Sequence, residues 1–141
     1  MKPILLDTNV VSELRKNKAR INPQVLNWAK SLELQDSYLS VITVYELERG
    51  ILLLAKKDPQ QSSDLSTWLN TIKDDEFKGR LLPISTEIAS RAAALQADNP
   101  RPVPDSFIAA TALEHNLMLA TRNTQDFLGT DVTLINPWEA P

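Results

Sequence analysis

The chain has 141 residues, 43% of them hydrophobic and 23% charged, with a net charge of −3 and a pI near 5.1. That is the composition of one globular domain with a single core, and its acidity excludes a protein that grips nucleic acid by bulk positive charge. It has no cysteine, one histidine and three glycines, which excludes disulfides, thiolate or paired-histidine metal sites within the chain and a glycine-rich phosphate loop.

Ile4-Leu5-Leu6 follows Pro3 and reads as a short strand buried on both faces, as the middle of a parallel sheet requires. It breaks into Asp7-Thr8-Asn9, and a helix is predicted from Val10 to about Lys16. Ligands in open α/β sheets sit outside the carboxyl ends of the strands, where Asp7 falls; equally, Asp7 and Asn9 are good helix caps. The basic run Arg15 to Arg20 reads as a solvated loop, with Arg15 and Lys16 as candidate phosphate contacts. Met1-Lys2-Pro3 runs straight into the first strand and predicts no secretory leader, and the longest apolar run, Ile51 to Ala55, is too short to span a bilayer.

Asn22-Pro23 starts a second helix, with Val25, Leu26, Ala29 and Leu32 on its buried face and Trp28 in the core or a subunit contact. Tyr38-Leu39-Ser40 is the second strand, and Val41-Ile42-Thr43 bridges it to a helix running to about Lys57. After Asp58-Pro59 another helix covers Gln60 to Lys73; the like charges of Asp74-Asp75-Glu76 oppose its dipole and predict fraying. Arg80 to Ile84 is the third strand. Ser85 or Thr86 caps a helix from Glu87 to Ala97 whose alanines predict close packing. Asn99 to Pro104 is a stiff proline loop, and a helix from Pro104 to about His115 leads into the fourth strand, Leu117 to Ala120. Val132 to Ile135 is the fifth. Strands alternating with helices imply a single three-layer α/β domain over 1–141, its parallel strands joined by right-handed crossovers.

In a parallel sheet all strand carboxyl ends share one edge. Asp7 lies there, with Glu46 early in the third helix, Asp105 opening the helix before the fourth strand, and Asn123 and Asp126 just beyond that strand. Each has a second reading: Glu46 completes a capping box with Thr43, Asp105 favours a helix dipole, and Asp126 makes a turn before Phe127. Taken together, crowded carboxylates repel one another unless a cation intervenes. Oxygen donors without nitrogen or sulfur favour Mg²⁺, with Mn²⁺ as substitute, and such sites act on phosphodiesters. Arg122 beside that edge is a surface arginine or a phosphate contact. His115 reads as a C-terminal dipole partner, and Trp68 and Trp138 as core or interface.

These stretches also resemble a known family. Leu5 to Glu13, Leu39 to Leu47, Asp105 to Ala112 and Ala120 to Phe127 look like the four ordered motifs of PIN domains, and Asn136-Pro137-Trp138 is similar to the ending of the FitB and StbB branch of VapC toxins. The resemblance implies a sheet in the order 3-2-1-4-5 and a Mg²⁺-dependent cytoplasmic endoribonuclease, the toxin of a toxin–antitoxin pair, forming homodimers and silenced by a small DNA-binding antitoxin. It implies Asp7, Glu46 and Asp105 as metal ligands, with Thr8, Asn9 and Thr121 in support. At the fourth position many members carry Asp where this chain has Asn123, so either Asn123 serves as a neutral ligand through water or Asp126 supplies the charge. Two other classes stay open: a non-catalytic regulatory subunit acting through antitoxin and operator DNA, and, more weakly, a phosphotransfer module with Asp7 as acceptor.

Overall fold

The sheet order β3-β2-β1-β4-β5 expected from the sequence is the order found, in a computed structural model that describes residues 3–139. β1 (Ile4–Leu6) is central, flanked by β2 (Ser37–Ser40) and β4 (Met118–Ala120), with β3 (Leu81–Leu82) and β5 (Leu134–Ile135) at the edges. All pairings are parallel, and Leu5 sits between Tyr38 on one side and Leu119 on the other. Alternation along β1 divides the core in two. Ile4 and Leu6 join a cluster with Val10, Trp28, Ile51, Leu69 and Phe77, whereas Leu5 joins Ile108, Ala112, Leu119 and Phe127.

The first cluster is covered by α1 (Thr8–Leu14), α2 (Pro23–Ala29), α3 (Val41–Leu54) and α4 (Pro59–Thr71). The second is covered by α6 (Val103–Glu114), and α5 (Thr86–Asp98) packs on α6 through Ile88, Ala92 and Ala110. The layers are therefore helix, sheet, helix. Among the described residues no helix is long and apolar enough to cross a membrane.

Several boundaries differ from expectation for identifiable reasons. α1 starts at Thr8 rather than Val10, because Asp7 caps it directly. Val41-Ile42-Thr43 is not a bridge but the first turn of α3; the Ser40 hydroxyl accepts the Ile42 N–H at 3.0 Å. That cap belongs to Ser40, so the Thr43–Glu46 capping box does not exist. α3 stops at Leu54, short of Lys57, and α5 reaches Asp98. In α5 Ala92 is buried while Ala89, Ala93, Ala94 and Ala97 are exposed, so the close packing expected of its alanines is confined to one face.

Asp74-Asp75-Glu76 does not fray. It lies in a π-helical turn (Ile72–Glu76) that extends α4, closed by the Phe77 N–H on the Ile72 carbonyl at 2.9 Å and anchored by buried Ile72 and Phe77. Arg80, expected to open the third strand, is a clamp. Its guanidinium donates to the carbonyls of Leu34, Ser37 and Glu76, joining the entrance of β2 to that turn, and lies 4.9 Å from the Phe77 ring centre. β3 is only Leu81–Leu82, ending before Pro83, which has no N–H for a ladder. β5 likewise begins at Leu134, not Val132.

Candidate active site

Asp7 is where β1 ends and α1 begins, and it serves both. Its N–H continues the ladder to the Ala120 carbonyl at 2.9 Å, and its Oδ1 accepts the Thr8 N–H at 2.8 Å. The helix cap and the site residue are thus one side chain. Oδ2 accepts the Thr121 hydroxyl at 2.7 Å and the Asn9 amide at 3.3 Å. The carboxyl is buried, and burial pushes its pKa up. The Thr121 hydroxyl, Thr8 N–H and Asn9 amide pull the other way, and the charge of Glu46 adds to the rise.

Glu46 reaches the same edge from the second turn of α3. The Thr8 hydroxyl donates to its Oε1 at 2.6 Å and lies 3.1 Å from the Thr43 hydroxyl. A hydroxyl carries one proton, so with Thr8 committed to Glu46, Thr43 supplies the proton of the second contact. Thr43 is fully buried and was read from sequence as a cap; its place in this chain of hydroxyls was missed. A buried threonine one turn before an acid, on a helix already capped upstream by serine, is the signal that could have found it.

Asp105 occupies the first turn of α6 with no side-chain cap to satisfy. Its pKa is pushed up to about 7, first by burial and then by the charges of Asp7 and Asp126, with a hydrogen bond to Asp126 and the charge of Glu46 in the same direction. Asp126 comes from a 3-10 turn (Thr124–Phe127) just past β4, so the turn expected there and the acidic position coincide. Asn123 precedes that turn with its residue exposed; its N–H donates to the Thr121 hydroxyl oxygen at 3.0 Å. The structure thus brings Asp7, Glu46, Asp105 and Asp126 into mutual electrostatic range.

Of the basic candidates, Arg122 borders the acidic edge and Arg15 the groove that leaves it, while Lys16 is paired elsewhere. The Arg122 N–H donates to the Asn9 side chain at 3.1 Å, and its guanidinium sits 5.1 Å from the Trp138 ring centre. Arg15 caps the far end of α1, about 12 Å along the helix from Asp7 at 1.5 Å per residue, and lies 6.0 Å from the Trp68 ring centre. Lys16 is 2.9 Å from Glu13, a buried carboxylate that also accepts the Asn22 N–H at 2.8 Å. A groove of about 230 Å³ lined by Thr8, Ser12, Arg15, Glu46, Gly50 and Trp68 runs off the acidic edge. Arg101, in the proline loop, went unnoticed in the sequence: one guanidinium nitrogen donates to the Asp126 carbonyl at 3.4 Å, and another is buried without a partner. His115 sits at the opposite end of α6 from Asp105, outside the site.

The donors at the edge are carboxylate and hydroxyl oxygens, the chemistry that suits a hard divalent cation retaining part of its water shell. Among the described residues no three acidic groups converge as a ready-made cage would require. What the site offers is unbalanced negative charge held by hydroxyls, which a cation would relieve. A parallel sheet with acids from four separate segments gathered at its carboxyl edge defines an α/β protein with an acidic edge site.

A family model described as PIN domain matches residues 4–131. Toxin FitB of Neisseria gonorrhoeae is 39% identical over 140 residues, spanning 96% of this chain and 98% of the relative. A VapC ribonuclease, Y4jK, of Sinorhizobium fredii is 38% identical over 141 residues, spanning 96% and 98%. Among solved structures, FitAcB from Neisseria gonorrhoeae superposes with a TM-score of 0.82 at 36% identity, covering 97% of this chain and 99% of that one. A toxin–antitoxin complex from Klebsiella pneumoniae does so at 0.68 and 30% identity, covering 97% and 99%. The chain belongs to the PIN-domain family.

Proposed function

We propose that this PIN domain is the toxin of a toxin–antitoxin pair, an endoribonuclease that uses Mg²⁺ or Mn²⁺ at Asp7, Asp105 and Glu46, with Asp126 as the fourth acid. Its class is that of the toxins and VapC ribonucleases it resembles over nearly its whole length. The observation that carries the mechanism is Asp105 in the first turn of α6: a carboxyl driven up to about 7 by burial and by the charges of Asp7, Asp126 and Glu46, which reach the same sheet edge from three other segments. Thr121 fixes the Asp7 carboxylate, and the Thr8–Thr43 hydroxyl chain fixes Glu46. A cation beside Asp105 would offset the neighbouring charges that push its carboxyl up. Asp7, Asp105 and Glu46 would hold the divalent cation, which when bound would supply positive charge against that developing at phosphorus and make a water more acidic. No side-chain nucleophile is needed. Arg122 beside the edge and Arg15 on its groove would contact RNA phosphates, which suits an acidic protein whose affinity for RNA has to come from a few local contacts.

The partners follow from the same likeness: RNA as substrate, a small DNA-binding antitoxin as inhibitor, and a homodimer in the cytoplasm as the working form. One observation favours a second reading, a regulatory subunit without catalysis: Asn123 brings no charge to a position where a carboxylate was expected. The deciding experiment assays wild type, Asp7→Asn, Asp126→Asn and Asn123→Asp on total cellular RNA, with Mn²⁺ and with EDTA, each form first shown to be folded. Wild type should cleave in Mn²⁺ and not in EDTA. Asp7→Asn should be inactive, Asp126→Asn nearly so, and Asn123→Asp should shift metal preference more than rate. A folded wild type that cleaves nothing yet binds its antitoxin tightly would move the assignment to the regulatory subunit.

A further inference from the structure

Arg101 stands in the proline loop between α5 and α6, and its guanidinium donates to main-chain carbonyls. Nε reaches the Asn99 carbonyl at 3.0 Å, and Nη1 the Asp126 carbonyl at 3.4 Å. The carbonyl of Arg101 accepts the Gln96 amide at 2.9 Å, and the Gln96 side-chain oxygen accepts the Ser106 hydroxyl at 2.5 Å. Ser106 is buried and directly follows Asp105. One continuous path therefore joins the turn that carries Asp126 to the first turn of α6, which carries Asp105.

The usual means of fixing that helix opening are missing. Its N-cap is Pro102, which has no side-chain acceptor, and Pro100, Pro102 and Pro104 have no N–H to donate. The charge of Asp126 also reaches Asp105, so the two segments are pushed apart when both acids are ionised. An arginine beside carboxylates ordinarily pairs with them. Arg101 makes no ion pair among the described residues and holds the Asp126 backbone instead, without occupying either carboxylate. Nor is it the choice that stability alone would make. Its Nη2 is buried without a partner among the described residues, and an apolar side chain of similar shape would leave no such donor.

We infer that Arg101 is a positioning residue of the acidic site, fastening the Asp126 turn to the opening of α6 so that Asp105 and Asp126 act on one divalent cation. Gln96 is the second half of the same fastening. The inference rests on the metal-dependent reading proposed above and adds to it a residue outside the four acids. It also has a sign. By charge alone, removing a cation from beside the acids would tighten the binding of a metal ion; loss of the fastening weakens it.

The test measures Mn²⁺ binding to the full chain by calorimetry, with amide hydrogen exchange and melting in EDTA alongside. Arg101→Met removes the guanidinium and keeps the apolar stem. It should raise the Mn²⁺ dissociation constant at least about tenfold, as losing a group that orients metal ligands does. Exchange at Thr124–Phe127 should quicken, while the melting temperature in EDTA falls no lower than that of wild type, because the unpaired donor leaves with the guanidinium. Arg101→Lys keeps the charge but not the fork, and should bind Mn²⁺ as weakly as Arg101→Met. In an Asp126→Asn background Arg101→Met should weaken binding no further, since it acts through Asp126. Unchanged or tighter Mn²⁺ binding by Arg101→Met, or full affinity in Arg101→Lys, would overturn the inference. So would a lower melting temperature with faster exchange throughout the chain, which would make Arg101 a structural residue only. A wild type that binds no Mn²⁺ would sink the metal reading and the positioning role with it; that failure is distinct, because Arg101→Met would still quicken exchange at the turn.

Discussion

At the scale of single residues, the informative group is Asp105. Its folded pKa, about 7, lies above the ordinary 3.8, so between those values the folded chain holds a proton that the unfolded chain has released. Stability from this group is complete below about pH 4 and is lost as pH rises through about 7. Thermal melts in EDTA should therefore show a decline across that window in wild type, and a flatter profile in Asp105→Asn, the difference being read between the two proteins so that other carboxylates cancel. Identical profiles would mean that Asp105 titrates normally. Asp7 cannot be read as simply, since burial raises it while three hydrogen bonds oppose the rise. The positions of Asp7, Glu46, Asp105 and Asp126 were legible in the sequence because a parallel sheet forces strand ends onto one edge. The partners Thr43 and Arg101 were not, because nothing local distinguishes a threonine in a helix, or an arginine among prolines, until other segments close around it.

At the scale of elements, α3 carries a feature that packing does not explain. Gly50 sits inside the helix with nothing within 4 Å of where a Cβ would stand, so alanine fits and its helix propensity should add about 0.5–1 kcal/mol of stability, measurable by urea denaturation. Gly50 also lines the groove that leaves the acidic edge. A stabilised Gly50→Ala protein that binds RNA or antitoxin less well would show that the bare backbone serves access; a destabilised one would show strain that the present geometry does not contain. Element types and order were readable from periodicity and from capping residues such as Asn22 and Ser85. The lengths of β3 and β5 were not, and neither was the Arg80 clamp, whose guanidinium reaches carbonyls of other segments that only the fold brings near. The same holds for the charged end of α4, where local dipole reasoning predicted fraying and buried Phe77 enforced a turn.

At the scale of the whole molecule, an acidic edge without a cation is a standing cost to the fold, so ligand binding should repay it. Mg²⁺ or Mn²⁺ should raise the melting temperature by linkage, about 2.7 kcal/mol at a hundredfold excess over the dissociation constant, and Asp7→Asn should blunt the response. No shift with either cation at saturating concentration would remove the metal from the assignment. The wiring of the site has one more consequence. Asp7 takes its hydroxyl from Thr121, 114 positions later, and Thr8 meets Glu46 across 38. A ribosome that has made the first hundred residues has made Asp7 and Glu46 but neither Asp105 nor the strand that carries Thr121. On the proposed assignment the chain would be inactive through most of its own synthesis, and a truncated product ending before β4 should cut no RNA. Potency arrives late, with the last third of the polypeptide, at a time when an inhibitor translated from a neighbouring message could already be waiting.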